Sequence, residues 1–342
     1  MERLTGFKKE ENDMKVMGIV AGRHNGNSEI LVKEALLACQ EAGAEVELVN
    51  LFDYNILPCT GCEACTMSMG DVAMGKGDYK GCVLKDKDDV DALVTEMQTC
   101  NGLIIGVPTY DLMPSTVYTR FTHRFLAYEL SFLLKIGKVK EDPHQVAGLI
   151  AVGGSCKDWQ GLSLDSLSAT MFTQSTMVVD KFLSTRNGRP GNVLLKEDQI
   201  ARAHKMGENI IQAIRTPVEE RGWLGDPDQG LCPNCHSDLI MRGDRHWDGI
   251  QWPFECVVCG AGGDIVKDEN GKVKFVIAPD GLSRDRNVNE CREKHLEEIV
   301  STRIDFMKRQ EEARAKMEKY RELKFPTVEI SRQGTEADTK IR

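Results

Sequence analysis

The chain has 342 residues, 41% of them apolar, and a net charge of −9, which suits one substantial core with a smaller module. The acidic balance excludes a general nucleic-acid binder, which needs a basic surface. Apolar runs such as 102–108 are far too short to span a bilayer. The polar arm Met1–Asp13 lacks a signal peptide's apolar stretch, so the protein reads as cytoplasmic, without a membrane partner.

Taken in order, Met14–Ala21 is an aliphatic run that predicts a first strand. A Gly- and Asn-containing loop follows, and Ser28 can help cap a helix to about Ala42, with Ile30, Leu31, Ala35 and Ala38 on one stripe. Glu45–Leu51 predicts a second strand, and Pro58–Gly81 an irregular stretch. Asp86–Cys100 predicts a helix with an acidic first turn, and Leu103–Val107 a buried strand ended by Pro108. Helices are predicted at Ser115–Leu134, Leu162–Gln174 and Lys196–Arg215, and strands at Val146–Val152 and Thr176–Val179. Strand and helix alternate, so the fold class is α/β. The expected architecture is a doubly wound, five-stranded parallel sheet, for which the order 2-1-3-4-5 is one of the two common choices, with ligands beyond the carboxyl ends of its strands.

Residues 14–215 thus read as one domain and 216–230, rich in Gly and Pro, as a linker. Residues 231–282 form a small cysteine-rich β module. Residues 283–342 read as a helical tail, disordered from about Arg332. Its helix, 289–324, carries Leu296, Ile299, Val300, Ile304 and Met307 on one stripe and is almost all charged beyond it.

Three loops should leave one edge of the sheet. The first, Gly22-Arg23-His24-Asn25-Gly26-Asn27-Ser28, combines backbone N–H groups, a helix N-terminus and the Arg23 charge, an arrangement suited to phosphate. The alternative is an ordinary strand-to-helix turn. The second contains Pro108, Thr109, Tyr110 and Asp111. The third contains Gly153, Gly154, Ser155 and Trp159. Together they can hold a phosphate, a ring and a ring edge, although for Tyr110 and Trp159 simple packing is the competing reading.

With these loops in place, Met14–Arg215 resembles the NADPH-dependent FMN reductase-like branch of the flavodoxin superfamily, and within it is similar to the iron–sulfur flavoproteins. The family's Gly-Ser-Pro-Arg-x-x-Gly-Asn-Thr loop corresponds to Gly22–Ser28, here shorter by a residue or more. Its Pro-x-Tyr corresponds to Pro108-Thr109-Tyr110. Its Lys-x-Phe-x-Asp-Arg helix corresponds loosely to Arg120–Arg124, with His123 in place of the acid. The resemblance implies FMN, a homodimer or homotetramer, and an electron donor such as NAD(P)H or a reduced carrier.

Eight of the twelve cysteines fall in two tight groups, which in a reducing compartment read as metal or redox sites. Cys59, Cys62 and Cys65, with Cys82 after sixteen intervening residues, can wrap one [4Fe–4S] cluster, as the resemblance also implies; unligated or redox-active thiols are the alternative. Cys232, Cys235, Cys256 and Cys259 form two C-x-x-C knuckles at zinc-ribbon spacing, suited to Zn2+ or to rubredoxin-type iron. His236 and His246 read as bystanders, Cys39 and Cys100 as small buried residues, and Cys156 as an accessible thiol in the third loop.

The leading function is an FMN-dependent oxidoreductase or electron carrier passing electrons between FMN and the cluster. The alternatives are a cluster-free NAD(P)H-dependent FMN or quinone reductase, and a redox-sensing protein that recruits a partner through its zinc ribbon.

Overall fold

A computed structural model of the chain describes residues 14–327. The polar arm 1–13 and the expected disordered end from Arg332 lie outside the described residues. The central sheet comprises β1 (Lys15–Val20), β2 (Glu45–Asn50), β3 (Gly102–Tyr110), β5 (Val146–Val152) and β6 (Met177–Ser184), in the order β2-β1-β3-β5-β6. All neighbours are parallel. A two-residue strand, β4 (Met113–Pro114), turns back antiparallel onto the end of β3. Leaving β4 aside, this is the expected order 2-1-3-4-5.

The aliphatic strands are buried because helices cover both faces. Leu31, Val32 and Ala35 of α1 (Asn27–Glu41) join Met206 and Ile210 of α7 (Glu197–Arg215) over Val16, Ile104 and Ile150. A Cβ on Gly18 would meet Val32 and Leu36 at 2.7 Å, so α1 lies directly on the sheet there. Met17 alternates to the opposite face, where it lines a groove with Ala92 and Leu93 of α3 (Val90–Met97).

Four local features depart from the sequence pattern. The stretch 58–81 is not wholly irregular: α2 (Ala64–Ala73) forms within it, with Ser68, Met69 and Gly70 buried. The expected helix 115–134 is divided into α4 (Thr116–Thr122), a tight turn at Phe125–Tyr128 and α5 (Leu130–Lys135). Glu129 leaves the helical conformation there (φ −56°, ψ 114°), and its carboxylate accepts the Phe132 N–H at 2.6 Å, starting a new helix. The fifth long strand runs on to Ser184 because its polar residues are paired inside. Asp180 bonds Arg202, and Lys181 bonds Asp165 of α6 (Gly161–Ala169). The C-terminal helix breaks at Arg309 into α8 (Asn289–Lys308) and α9 (Gln310–Glu322), and Ile304 and Met307 are exposed.

The segment 216–230 is packed against the sheet domain. Leu224 N–H donates to the Val179 carbonyl at 2.7 Å, and Asn209 Nδ2 to the Leu224 carbonyl at 2.9 Å. It leads into an antiparallel sheet of β7 (Ile240–Arg242), β8 (Phe254–Cys256), β9 (Gly262–Lys267) and β10 (Val273–Ile277), ordered β10-β9-β8-β7. The core of this sheet contains Cys232, Cys256, Cys259 and Phe275, with Ala169 of α6 packed against it. Among the described residues, 14–292 form one compact unit and 293–327 a second.

Candidate functional site

A cleft opens at the carboxyl edge of the parallel sheet. Of the expected residues it is lined by Gly22, Arg23, Asn27, Ser28, Pro108, Thr109, Tyr110, Gly153 and Gly154. Its phosphate-like end is the start of α1. Gly26 is the N-cap and offers no side-chain cap, so the first-turn amides have no capping side chain and face the cleft end. The loop is held from behind, where Asn50 Nδ2 donates to the Gly22 carbonyl at 3.0 Å and Ser115 Oγ to the Ala21 carbonyl at 2.7 Å.

Sequence reasoning missed the fourth wall, Asn187-Gly188-Arg189-Pro190, which follows β6. The Gly-Arg-Pro-Gly run was a turn signal, but the strand was read as ending too early for its loop to reach this edge. Asn27 latches that wall. Its Nδ2 donates to the Asn187 and Arg189 carbonyls at 3.0 and 2.8 Å, and its Oδ1 accepts the Val193 N–H at 3.2 Å. The amide of Asn27 is therefore spent on the neighbouring loop.

The remaining expected residues lie outside the lining. Asn25 and Asp111 take left-handed backbone conformations, φ 55° and 51°, in their turns. The Ser155 carbonyl accepts Gln160 Nε2 and the Arg186 N–H at 2.6 and 3.0 Å. Trp159 is 63% exposed on the loop after β5.

The cleft has the shape and chemistry of a cofactor cradle. A Cβ on Gly153 would strike Gln160 Oε1 at 2.2 Å, and one on Gly154 would press the Gly188 Cα at 3.0 Å, so the two glycines let Gln160 and the loop after β6 pack close to the end of β5. Thr109 Oγ1 and Asn187 Oδ1, both from lining residues, are buried without a hydrogen-bond partner. Arg23 and Arg189 bring positive charge. The buried Glu29 carboxylate behind them is bonded by Lys33 and by Asn50. Burial alone would raise its pKa, but the hydrogen bonds from Lys33 and Asn50 carry it below the usual range.

The C-terminal cysteines converge. Cys232 Sγ lies 3.7 Å from Cys259 Sγ and Cys235 Sγ 3.5 Å from Cys256 Sγ, and all four sulfurs fall within 4.8 Å of one another. A disulfide needs about 2.05 Å, whereas a tetrahedral ion about 2.3 Å from each sulfur sets sulfur–sulfur edges of about 3.8 Å. The four thiols can therefore hold one metal ion.

In the first cysteine group, Cys59 and Cys62 are exposed while Cys65 and Cys82 are half-buried. Burial, and then the proximity of Cys82 and Cys59, pushes the Cys65 thiol up. Hydrogen bonds from the Ala64 N–H and the Thr60 hydroxyl lower that of Cys62.

Comparison with known proteins gives this cleft a context. The model of the NADPH-dependent FMN reductase family matches residues 14–187. The chain belongs to this family. Membership implies FMN as cofactor and NAD(P)H as electron donor. The chain is 26% identical over 300 residues to a flavone synthase of Aspergillus candidus, covering 84% of this chain and 88% of that protein. It is 27% identical over 210 residues to an iron–sulfur flavoprotein of Methanocaldococcus jannaschii, covering 59% of this chain and 98% of that one. A flavone reductase of known structure shares the fold, with TM-score 0.72 and 24% identity over 93% of this chain and 100% of that one. Among the described residues no helix is long and apolar enough to cross a membrane.

Proposed function

We propose that this protein binds FMN in the cleft at the carboxyl edge of its sheet, oxidises NAD(P)H and reduces a second substrate. The observation that carries the reading is the meeting, in one cleft, of an uncapped helix N-terminus with Arg23, Arg189 and the partnerless Thr109 Oγ1. The α1 amides, Ser28 Oγ, Arg23 and Arg189 hold the phosphate. Pro108, Thr109 and Tyr110 support one side of the ring, and Gly153 and Gly154 its edge. Asn25, Asp111, Ser155 and Trp159 flank the cleft and shape its loops. When bound, FMN accepts a hydride and releases electrons in pairs or singly.

The second substrate is where the relatives divide. Likeness to a flavone synthase, over a length that exceeds the sheet domain, supports a conjugated aromatic carbonyl compound as partner in two-electron chemistry. Tyr110 suits this, since it lines the cleft and is 48% exposed, with its ring free to stack on a planar acceptor. The likeness to iron–sulfur flavoproteins supports a second reading, in which Cys59, Cys62, Cys65 and Cys82 hold a [4Fe–4S] cluster that exchanges single electrons with FMN. In either case Cys232, Cys235, Cys256 and Cys259 hold a structural zinc, with rubredoxin-type iron as the alternative, and the chain works as a homo-oligomer.

One anaerobic preparation tests these points through FMN, iron, sulfide and zinc analysis, followed by turnover with NAD(P)H and either a flavone or a one-electron acceptor. Failure to take up FMN overturns the proposal. Bound FMN without turnover favours a redox sensor that recruits a partner through the four-cysteine module.

A further inference from the structure

The lip of the cleft carries backbone strain that turn chemistry does not explain. β3 and β4 form an antiparallel hairpin in which Thr109 faces Pro114 and Tyr110 faces Met113. Only Asp111 and Leu112 remain for its turn, and both take positive φ, 51° and 70°. A two-residue turn of this kind favours Asn-Gly or Asp-Gly. Aspartate tolerates the left-handed region, but a bulky leucine there is costly, because its Cβ crowds the backbone. Neighbouring bonds hold the turn in place. Proline stands at both 108 and 114, with φ fixed by its ring, and the Ser115 N–H donates to the Pro108 carbonyl at 3.1 Å.

Burial does not offset that cost, since Leu112 is 41% exposed and Met113 43%. Residues directly opposite in an antiparallel pair point to one face of the hairpin. Met113 therefore shares the face of Tyr110, which lines the cleft, and Leu112 stands at the tip beside them. α6 packs against β4, and Leu162 at its start and Trp159 just before it are exposed as well. Exposed apolar side chains are ordinary when scattered, but these gather on two neighbouring segments that flank one cleft. Strain kept at such a place, with no packing to repay it, points to function.

We infer, resting on the two-electron reading above, that Leu112 and Met113 are specificity-determining residues, held out by the strained hairpin against a neutral, planar, apolar acceptor seated on Tyr110. The two ends of the cleft differ in a way that selects this occupant. Arg23 and Arg189 suit one end to a phosphate, whereas the shared face of Tyr110 and Met113 makes the hairpin end apolar. The Asp111 carboxylate beside Leu112 opposes an anionic acceptor there. Glycine at 112 relieves the strain and removes the contact together. Stability and acceptor affinity should therefore move in opposite directions, which a merely structural role for Leu112 does not allow.

The test compares wild type, Leu112→Gly and Met113→Ala as FMN-loaded proteins, with menadione, a neutral planar quinone, as the probe. Calorimetric titration of the oxidised proteins should show menadione binding about 10-fold weaker in each variant. The heat-capacity change on binding should be less negative, the mark of less apolar burial. Leu112→Gly should melt no lower than wild type. Unchanged menadione affinity in both variants overturns the role of the hairpin while leaving the acceptor reading in place. A Leu112→Gly protein that melts well below wild type makes Leu112 a packing residue and overturns it too. So does the dissociation of a wild-type oligomer in either variant, which assigns the lip to a second copy of the chain. A wild type that holds FMN but binds no menadione overturns the planar-acceptor reading and this inference with it.

Discussion

The latch formed by Asn27 allows a sharp test of how the cleft is built. In Asn27→Ala, three hydrogen bonds to the 187–193 loop disappear, at 2.8, 3.0 and 3.2 Å. Asn27 is 9% exposed, so each bond counts at roughly 1 kcal/mol net, about 2–4 kcal/mol in all. If that energy holds the loop closed, its loss lowers the fraction of chains with a complete cleft, and apparent FMN affinity falls in proportion. At about 1.4 kcal/mol per tenfold, the loss is on the order of 30- to 700-fold. The change must also appear without flavin. Hydrogen exchange of the amides of Gly188–Leu195 should quicken in the apo protein, and the urea midpoint should drop. Fluorescence titration with FMN reports the affinity. Weakened FMN binding with unchanged apo exchange and midpoint would refute the latch and return Asn27 to a direct phosphate donor.

Cys235→Ala should abolish the stoichiometric metal of the C-terminal module and loosen the β7–β10 sheet, because the cysteines are part of its small core; metal analysis and limited proteolysis check this. The same metal should be released on acidification, since its ligands must be deprotonated. Glu29→Gln should flatten the acid sensitivity of folding. The folded pKa of Glu29 is depressed below 4.5, so its contribution is present above that value and disappears as pH falls through the folded pKa. Urea midpoints between about pH 6 and 3 should therefore converge for wild type and variant at the acid end.

The arrangement of the core was legible because its signals are local. Aliphatic runs at 15–20, 102–107 and 146–152 admit little but buried strands, and their spacing by helices demands a parallel sheet. The four-cysteine centre was legible from spacing alone. Elements whose character depends on partners elsewhere were not. β6 hid behind Asp180 and Lys181, whose charges are satisfied by Arg202 and Asp165. The break in helix 115–134 depends on Glu129 capping a new helix.

The sequence by itself determined the α/β class, the loops that meet at the cleft and the metal-binding pattern of Cys232, Cys235, Cys256 and Cys259, while the strand order was one of two common choices that the structure fixed. Each follows from residue type and periodicity over a few consecutive positions. Only the tertiary structure decided that the loop after β6 forms the fourth wall and that Asn27 latches it across 160 or more positions. It also decided that Asp88 and Arg124 pair with each other and both bond the backbone of Leu57. These are hydrogen bonds and ion pairs between distant segments. Their partners are chosen by which backbone groups folding leaves buried and unpaired, and no local pattern of residues encodes that choice.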